Sequence, residues 1–303
     1  MKIVAVIVTF NRLEKLKNTL TSYEGQIYPF DDIIVVDNHS SDGTERYLDD
    51  WKHTVGKTRR HVITMPENVG GSGGFYAGEV YAMSLAPDWI SVGDDDAYPD
   101  SYYLQNFINF IDSHSNEKIA AVASKVELKE GSIDFGHRTT LIRKPCWAYP
   151  RTYSKPQDYL KDFFEIDMFS YVGTVMNVKA IEQYGFCNKD FFIYADDADH
   201  SLRLSKYGKI YCFPTMKVLH DSGQAIDKKT SSLSWRDYYS YRNQIFLFKK
   251  YNIRATLFII VLGLKQGVLS NLQGFKLCTK AIFAGLFGKL GIHKLYKPGF
   301  VIK

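Results

Sequence analysis

The sequence has few of the cross-linking features that stabilise small extracellular domains. It contains four cysteines in 303 residues, Cys146, Cys187, Cys212 and Cys278, and no two of them form a CxxC pair. A zinc site or a disulfide framework is therefore not indicated, and a reducing compartment fits. The 22 glycines and 9 prolines are ordinary numbers, which excludes collagen-like and low-complexity chains. A chain of this length can bury a sizeable core without cross-links.

Long apolar runs are also missing from the sequence. The N-terminal run ends at Asn11 and lacks a small-residue cleavage site, so we interpret it as a buried strand and not as a signal peptide. The longest run near the C-terminus, 255–264, is only about half of the roughly 20 residues that a spanning helix needs. We therefore expect that this run does not cross a bilayer.

Acidic residues are absent from the C-terminal part of the chain. From Tyr238 to Lys303 there are 11 Lys or Arg and no Asp or Glu, whereas 1–237 carries 27 basic and 33 acidic residues. A basic amphipathic helix is predicted there and can lie in a membrane interface, although it could instead pack on the domain or on another subunit. Its apolar face is predicted to hold Ile282, Phe283, Leu286, Phe287 and Leu290. Nucleic-acid binding is disfavoured because the body is acidic.

Buried strands alternate with helical patterns over the first 125 residues. The run from Lys2 to Thr9 is apolar after its first residue, as expected of a strand buried on both faces of a parallel sheet. Similar runs recur three times, and Leu13, Leu16 and Leu20 share one helical face after the first of them. This alternation predicts an open α/β sheet with helices on both faces.

Polar clusters follow four of the predicted strands, where ligands bind in open α/β sheets. The sharpest is Asp94-Asp95-Asp96, which follows a buried strand. Three adjacent carboxylates repel one another, so a cation must compensate them, and Mg²⁺ or Mn²⁺ suits such oxygen ligands. A solvated acidic turn is the alternative. The other clusters contain Thr9, Asn11 and Arg12; Asp37; and Asn68, Gly70, Gly71 and Gly74.

Two of these clusters are ambiguous when taken alone. The glycines of 70–74 could cradle a phosphate, but they match neither the P-loop nor the dinucleotide fingerprint, and a flexible turn is an equal alternative. Asp37 could accept hydrogen bonds from a base or a ribose, or it could cap the following helix.

A second acidic cluster, Asp196, Asp197 and Asp199, opens a predicted helix after an aromatic run. Carboxylates at a helix N-terminus are favoured by the helix dipole, which is the structural alternative. In an apolar setting such a carboxylate has a raised pKa and can act as a general base. His220 ends a short apolar segment and is either structural or a ligand that completes a metal site.

Taken together, these motifs resemble those of the inverting nucleotide-sugar glycosyltransferases of family 2, which have the GT-A fold. Within that family the sequence is most similar to bacterial galactofuranosyltransferases. The resemblance implies a Rossmann-like, mostly parallel sheet flanked by helices, plus a C-terminal helical, membrane-associating region. We expect a catalytic domain at 1–235, with a donor half at 1–125 and an acceptor half at 126–235, and a basic tail at 236–303. The matching segments are VTFNR (8–12), VVDNHSSDGT (35–44), ENVGG (67–71), GDDD (93–96), FFIYADDADHSLRL (191–204) and HDSG (220–223).

The resemblance also implies a role for each candidate residue. Asp197 corresponds to the catalytic base, and its neighbour Asp196 replaces the glutamate that many members carry. Asp94, Asp96 and His220 would hold Mn²⁺ or Mg²⁺ in a DXD-type site, with Asp95 near the ribose or the sugar. The nucleotide sugar would be bound by Thr9, Asn11, Arg12 and Asp37, with Asn68, Gly70, Gly71 and Gly74 lining the donor.

The implied reaction is metal-dependent transfer of a hexose, with inversion, onto a hydroxyl of a glycan acceptor. UDP-galactofuranose is the donor that the resemblance favours, and dTDP-rhamnose with rhamnosyl transfer is the alternative. The basic tail suggests a lipid-linked acceptor at the inner face of the cell membrane, in cell-surface polysaccharide synthesis. A non-catalytic nucleotide- or membrane-binding adaptor is a remote alternative. The oligomeric state stays open, and a homo-oligomer is compatible with the sequence.

Overall fold

A computed structural model describes residues 1–222 and 233–302 of the chain. The strands are β1 (Ile3–Thr9), β2 (Asp32–Asp37), β3 (Arg59–Thr64), β4 (Trp89–Asp94), β5 (Ala97–Pro99), β6 (Ile119–Glu127), β7 (Arg138–Leu141), β8 (Arg151–Tyr153), β9 (Phe164–Glu165), β10 (Met168–Phe169), β11 (Thr174–Asn177) and β12 (Lys209–His220). The α-helices are α1 (Leu13–Glu24), α2 (Thr44–Lys52), α3 (Gly70–Ser84), α4 (Tyr103–Ser113), α5 (Val178–Tyr184), α6 (Asp196–Leu204), α7 (Trp235–Phe248), α8 (Ile253–Ser270) and α9 (Leu272–Phe287). Short 3₁₀ helices lie at Phe135–His137, Asp158–Leu160 and Lys189–Phe191.

A nine-stranded sheet forms the centre of the molecule, in the order β3-β2-β1-β4-β11-β6-β12-β5, with β9 paired to β12. The pairs β1/β2, β1/β4, β2/β3 and β6/β12 are parallel. Strand β11 runs antiparallel to both β4 and β6, so these two strands and β12 point the same way. The mixed α/β architecture with a mostly parallel sheet therefore confirms the predicted fold class.

Helices cover both faces of this sheet, as the uninterrupted apolar strands predict. Alternate residues of β1 point to opposite faces because side chains of a strand have a period of two. Ile3, Ala5 and Ile7 pack in the core beneath α1, α2 and α4. Val4 and Val6 pack in a second core with helices α3 and α5. Every residue of β1 is buried, so the first strand lies at the centre of both layers.

A small three-stranded sheet, ordered β10-β7-β8, lies beside the main sheet in the second half of the body. The fully buried Arg138 joins the two sheets. Its guanidinium donates hydrogen bonds to the backbone oxygens of Ser124 at 2.8 Å and Val172 at 2.7 Å. A buried charge needs such partners, so Arg138 fixes this sheet against β6.

Helices α7, α8 and α9 pack together after the sheet, with contacts between all three. Helix α7 begins with a capping box, in which Ser234 and Asp237 satisfy each other's backbone amides. Its buried residues Arg242 and Asn243 hydrogen-bond to backbone oxygens between Asp190 and Tyr194. The boundary predicted at residue 235 therefore falls in the first turn of a helix that is bonded to the body.

Helix α8 is longer than the apolar run 255–264 that the sequence argument considered. Its 18 residues, Ile253–Ser270, have a mean hydropathy of 1.5, and 28% of them are buried. By length and composition alone it can cross a membrane, a test that core helices of soluble proteins also pass. The ten-residue count was too short because the helix continues through Lys265 and Gln266 into a second apolar stretch.

The apolar face predicted for the last helix is also split by the structure. Phe283, Leu286 and Phe287 are exposed on α9, as predicted. Ile282 is instead buried, packing with Ile245 and Ile259. Leu290 lies beyond the end of α9, which stops at Phe287 because Gly288 takes a left-handed conformation. The helix therefore has one apolar side against α7 and α8 and another that is exposed.

Candidate active site

The strand order brings the predicted polar clusters to one edge of the sheet. Thr9 is paired with Asp37 at the ends of β1 and β2. Val8 is paired with Asp94 at the end of β4. These strands are parallel, so their carboxyl ends meet at the same edge. Residues from three separate motifs thus become neighbours.

Strand β12 brings His220 to this same edge. Its antiparallel pairing with β5 sets His220 opposite Ala97, the residue after Asp96. The amide of Asp221 then donates a 2.8 Å hydrogen bond to the backbone oxygen of Asp96. The position of His220 next to the acidic run is therefore fixed by backbone pairing and not by a side-chain contact alone.

A cavity of about 420 Å³ opens at this edge, between the strand ends and the beginnings of α3 and α7. It contains most of the predicted donor-binding residues, namely Thr9, Asn11, Arg12, Asn68, Gly70, Gly71, Asp94 and Asp95. The remaining lining residues are Val8, Phe10, Asn38, Phe192, Ile193, Trp235, Arg236 and Pro298. Larger clefts of about 630, 600 and 930 Å³ contain none of the predicted site residues.

The three adjacent carboxylates are compensated by basic side chains from the first helix. Arg12 Nη1 lies 3.2 Å from Asp95 Oδ1 and 2.8 Å from Asp96 Oδ2. Lys15 lies 3.5 Å from Asp96. Thr9 donates a 2.9 Å hydrogen bond to the other oxygen of Asp95. Asp95 is therefore held by protein groups on both oxygens, and Asp96 is paired with two basic side chains.

Asp94 has the most perturbed titration of the three carboxyls. Its pKa is raised to about 7, mainly by burial and in addition by the negative charges of Asp96 and Asp95. His220 and Arg12 lower this pKa by a smaller amount. The pKa of Asp96 is instead lowered, because His220, Arg12 and Lys15 outweigh its burial. A divalent cation between these groups would relieve the repulsion at Asp94.

His220 lies between two carboxylates. Its Nε2 is 3.5 Å from Asp96 Oδ1, and its Nδ1 is 3.8 Å from Asp134 Oδ2. Burial lowers its pKa, but Asp134 and Asp96 outweigh burial and raise it to about 9. Among the described residues, no hydrogen-bond partner satisfies the buried Nδ1.

Within the described residues, Asp134, His137 and His220 are the group whose donor atoms all lie within 4.8 Å of one another. The group Asp94, Asp96 and His220 is less compact but has the donor types of a divalent metal site. It offers two carboxylates and an imidazole, a donor set that Mn²⁺ accepts readily and Mg²⁺ accepts through its oxygens. The raised pKa of Asp94 indicates that this cluster has an excess of negative charge. The residues present are thus suited to the ion that the sequence motif predicts.

The glycine-rich segment is the beginning of helix α3 and not the flexible turn of the alternative reading. Gly70 has a left-handed φ of 76°, and a Cβ there would lie 2.1 Å from the backbone oxygen of Phe192. Only glycine fits this position. Gly74 differs from the prediction that it lines the donor: it packs against Val8, where a Cβ would lie 2.6 Å from Cγ1, and it does not line the cavity.

Asp37 and Asn11 shape the loops at the strand ends. Asp37 is buried, and one of its oxygens accepts a hydrogen bond from the amide of Ser40 in the loop before α2. Asp37 does not cap that helix, whose N-cap residue is Gly43. Its other oxygen, Oδ2, has no hydrogen-bond partner within 1–222 and 233–302. Asp37 does not line the cavity, whereas Asn11 does, with a left-handed φ of 53° and its side chain bound to the amide of Ser41.

Asp197 stands in the first turn of α6, after a strained segment. Phe192, Tyr194 and Ala195 have φ values of 67°, 68° and 63°, which non-glycine residues rarely adopt. Burial raises the pKa of Asp197 to about 7, and the adjacent Asp196 raises it too. Its side chain keeps some solvent-accessible surface although protein surrounds it. These are the properties of a base that works near neutral pH.

The structure leaves Asp197 beside the cavity and not in its lining. Phe192 and Ile193, which line the cavity, belong to the segment that leads into α6. The amide of Ser72 in α3 donates a 3.2 Å hydrogen bond to the backbone oxygen of Phe192. The start of α3 and the segment before Asp197 are thus joined by a hydrogen bond. Gly223, the last residue of the HDSG motif, lies outside the described residues.

The sequence analysis missed several residues that build the site. Trp235, Arg236 and Pro298 line the cavity from the C-terminal region, which carries no motif that would reveal this contact. Arg151 lowers the pKa of Asp197 from the small sheet. The fully buried Glu79 accepts a 2.8 Å hydrogen bond from the amide of Cys187, and its unusual position mid-helix was the signal that could have found it.

Aromatic rings can stack on the apolar faces of sugars, and the aromatic residues of 147–171 considered for an acceptor cleft fall into two groups. Trp147, Tyr149 and Tyr153 are exposed, and the first two contact Phe258 of α8. The others, Phe169 and Tyr171, are buried in the core. The exposed group is thus available to a ligand, and the buried group has a structural role in the core.

The model of the family "Glycosyl transferase family 2" matches residues 4–185, more than half of the chain. The chain belongs to glycosyltransferase family 2. A similar protein is the galactofuranosyltransferase GlfT1 of Mycolicibacterium smegmatis, 24% identical over 272 residues, which are 84% of this chain and 85% of that protein. The family 2 match covers every strand-end cluster of the donor half.

Solved glycosyltransferases share the fold of this family 2 chain. The mannosyltransferase PcManGT of Pyrobaculum calidifontis, in complex with GDP-Man and Mn²⁺, has a TM-score of 0.57 and 15% identity, covering 93% of this chain and 74% of that one. GalNAc-T7 with UDP, GalNAc and Mn²⁺ has a TM-score of 0.63 and 13% identity, covering 82% and 48%. The chain thus has the GT-A fold.

Proposed function

We propose that this glycosyltransferase transfers galactofuranose from UDP-galactofuranose, with inversion, to a hydroxyl of a lipid-linked glycan. One observation carries the proposal: His220 lies 3.5 Å from Asp96, and the adjacent Asp94 lines a cavity that contains the strand-end polar residues. The similarity to galactofuranosyltransferase GlfT1 supports the choice of the sugar.

The donor is bound, in this proposal, by the residues of the cavity. Arg12 and Arg236 supply positive charge for the diphosphate, and Gly70 and Gly71 at the start of α3 line the same space. Asp94, Asp96 and His220 would hold Mn²⁺ or Mg²⁺, which when bound supplies charge stabilisation for the leaving diphosphate. Asn68 keeps the α3 start in place, because its side-chain oxygen accepts from the amide of Gly70 at 2.9 Å.

Asp197 is the base of the proposed reaction. Its carboxylate takes the proton of the acceptor hydroxyl while that oxygen forms a bond to the anomeric carbon. The bond between this carbon and the diphosphate oxygen breaks, and UDP leaves with the electron pair. A single displacement inverts the anomeric centre, so no protein nucleophile is required. General-base assistance of this kind contributes roughly 10²–10⁴-fold.

The C-terminal helices provide the proposed membrane contact. Leu257, Val261, Val268 and Leu269 of α8 are exposed, and so are Phe283 and Phe287 of α9. No acidic residue follows Asp237, so nothing opposes attraction to anionic lipid. We propose that 236–303 rests on the inner face of the cell membrane, while 1–125 binds the donor and 126–235 the acceptor.

A donor screen tests the proposal. The purified chain is incubated with Mn²⁺, a lipid-linked acceptor and one of several nucleotide sugars, and nucleotide release is measured. We expect release of UDP from UDP-galactofuranose that depends on the acceptor, with an inverted anomeric configuration by NMR. Turnover of dTDP-rhamnose alone would favour the rhamnosyltransferase alternative. Donor binding without turnover, whatever the acceptor, would favour the adaptor alternative.

A further inference from the structure

A series of polar side chains lies behind His220, on the side away from the acidic run. Asp134 Oδ2 is 3.8 Å from His220 Nδ1 and 3.1 Å from His137 Nε2. His137 Nδ1 is 2.7 Å from the hydroxyl of Ser170. The two imidazole rings are 4.9 Å apart and nearly perpendicular. Asp134, His137 and Ser170 belong to no motif recognised in the sequence.

Asp134 and His137 are each held in place by a further hydrogen bond. Asp134 begins the 3₁₀ helix Phe135–His137, and its other oxygen accepts a 3.0 Å hydrogen bond from the amide of Gly136. Its Oδ2 is therefore directed toward the two histidines. Asp134 only accepts hydrogen bonds, so His137 must donate its Nε2–H to it and accept from Ser170 through Nδ1. The amide of Gly136 and the ring of His137 therefore fix the position of the Asp134 carboxylate.

We propose that Asp134, held by His137, is the positioning residue that orients His220 toward the metal. This inference rests on the proposed metal-dependent function. The negative charge of Asp134, in ion-pair contact with Nδ1 at 3.8 Å, favours a proton on that nitrogen and leaves the Nε2 lone pair free for a cation. In this chain Nε2 is the nitrogen that faces Asp96. Asp134 acts through His220 and does not contact the donor cavity.

Manganese affinity is the direct test. Mn²⁺ binding to the full chain is measured by electron paramagnetic resonance of the free ion, with UDP present, for the parent and for Asp134→Asn. We expect affinity to fall by about 10–100-fold, the usual loss when such an outer partner is removed. Binding of UDP in EDTA and the unfolding temperature are measured on the same samples, and both are expected to stay near the parent values.

The chain offers a matched control in Asp158→Asn. Asp158 also stands at a 3₁₀ helix, Asp158–Leu160, and its side chain is 28% exposed, as is that of Asp134. It pairs with Lys161 and contacts no histidine. This variant is expected to keep the parent Mn²⁺ affinity, so a general effect of losing an acidic residue would be recognised.

A third variant separates this inference from the proposed function. If His220→Ala leaves Mn²⁺ affinity unchanged, the proposed metal role of His220 is wrong. If His220→Ala loses affinity but Asp134→Asn stays within twofold of the parent, only the positioning role is overturned. Two Mn²⁺ ions per parent chain, one of them lost in Asp134→Asn, would also overturn it, because Asp134, His137 and His220 would then form a cation site themselves.

Discussion

His220 Nε2 lies 3.5 Å from Asp96 Oδ1, although the two residues come from opposite ends of the catalytic body. The contact follows from the pairing of β12 with β5, which aligns His220 with Ala97. It also joins a strand-end carboxylate of the donor half to the last strand of the sheet. The proposed metal-binding group is therefore complete only when the whole sheet has formed.

Replacing Asp96 by alanine should remove metal-dependent donor binding. The variant loses a carboxylate that the structure holds ready for a cation next to Asp94 and His220, so Mn²⁺ should no longer tighten the binding of UDP. Isothermal titration with and without Mn²⁺ measures this difference. In the parent, EDTA should abolish turnover and added Mn²⁺ should restore it. Full activity of Asp96→Ala in EDTA would exclude a metal-dependent mechanism.

Asp197→Asn should lower kcat by about 10²–10⁴-fold and leave UDP affinity unchanged, because an amide cannot take the proton of the acceptor. Steady-state kinetics and calorimetry measure the two effects. Asp199→Asn is the control in the same helical turn. Asp199 pairs with Arg203 at 2.8 Å and should affect stability more than turnover. A marked loss of UDP affinity in Asp197→Asn would contradict the role of the base.

The pH profile should show an acidic limb set by Asp197. Burial and Asp196 raise its pKa to about 7, so kcat/KM should fall as pH decreases below about 7 and the base becomes protonated. The two carboxyls titrate as a pair. Asp196→Asn removes the neighbouring negative charge, so the limb should move to lower pH. A limb that stays in place, or moves to higher pH, would show that another group controls it.

Charge reversal on α9 and directly after it should weaken membrane binding. Lys276, Lys280 and Lys289 are exposed, and each basic residue near anionic lipid contributes about 1 kcal/mol. Their triple replacement by glutamate should reduce flotation with anionic liposomes by at least 100-fold. The control replaces the exposed lysines Lys57, Lys118 and Lys179 by glutamate, with the same change in net charge. Equal losses in both variants would show that only the total charge matters.

Asn243→Ala should destabilise the segment before Asp197. The Asn243 side chain donates to the backbone oxygens of Phe191, Ile193 and Tyr194 at 2.8–3.1 Å. Buried acceptors left without donors cost about 1–3 kcal/mol each. We therefore expect a lower unfolding temperature and a fall in kcat of at least tenfold.

Two further variants sharpen this test. Gln244→Leu is the adjacent control, since Gln244 bonds only to Ser240 of its own helix. Ala195→Gly added to Asn243→Ala should recover part of kcat, because glycine adopts the left-handed conformation without strain. Thermal unfolding and kinetics of the four proteins provide the measurements. A normal kcat in Asn243→Ala would show that the segment holds its conformation unaided.

The sequence predicts the donor half of this fold well, for a local reason. Strands β1, β2 and β4 are mostly apolar, buried runs, and each is followed by a polar cluster, so the strand and the polar residues at its end are predicted from the same ten residues. Parallel pairing then brings Thr9, Asp94 and their neighbours together without further information. The predicted role of Gly74 differs because facing the ligand or facing β1 depends on helix rotation, which the glycine pattern does not reveal.

The remaining parts of the site depend on contacts between distant segments. Asp134 and His137 stand in an irregular stretch with no periodic pattern, and only the pairing of β12 with β6 and β5 brings them to His220. Trp235 and Pro298 reach the cavity because α7 packs on the body. Helix α8 was underestimated for a different reason, since an uninterrupted apolar run is shorter than the helix that contains it.

The bonds from Arg242 and Asn243 to the Asp190–Tyr194 backbone have a practical consequence for shortened forms of this enzyme. Removing the last helices to obtain a more soluble protein would also remove these hydrogen-bond donors. They hold the strained backbone that directly precedes Asp197, the proposed base. Such a fragment could retain the strand-end half of the site and still fail to turn over. Detergent or lipid added to the whole chain is the better route to an active preparation.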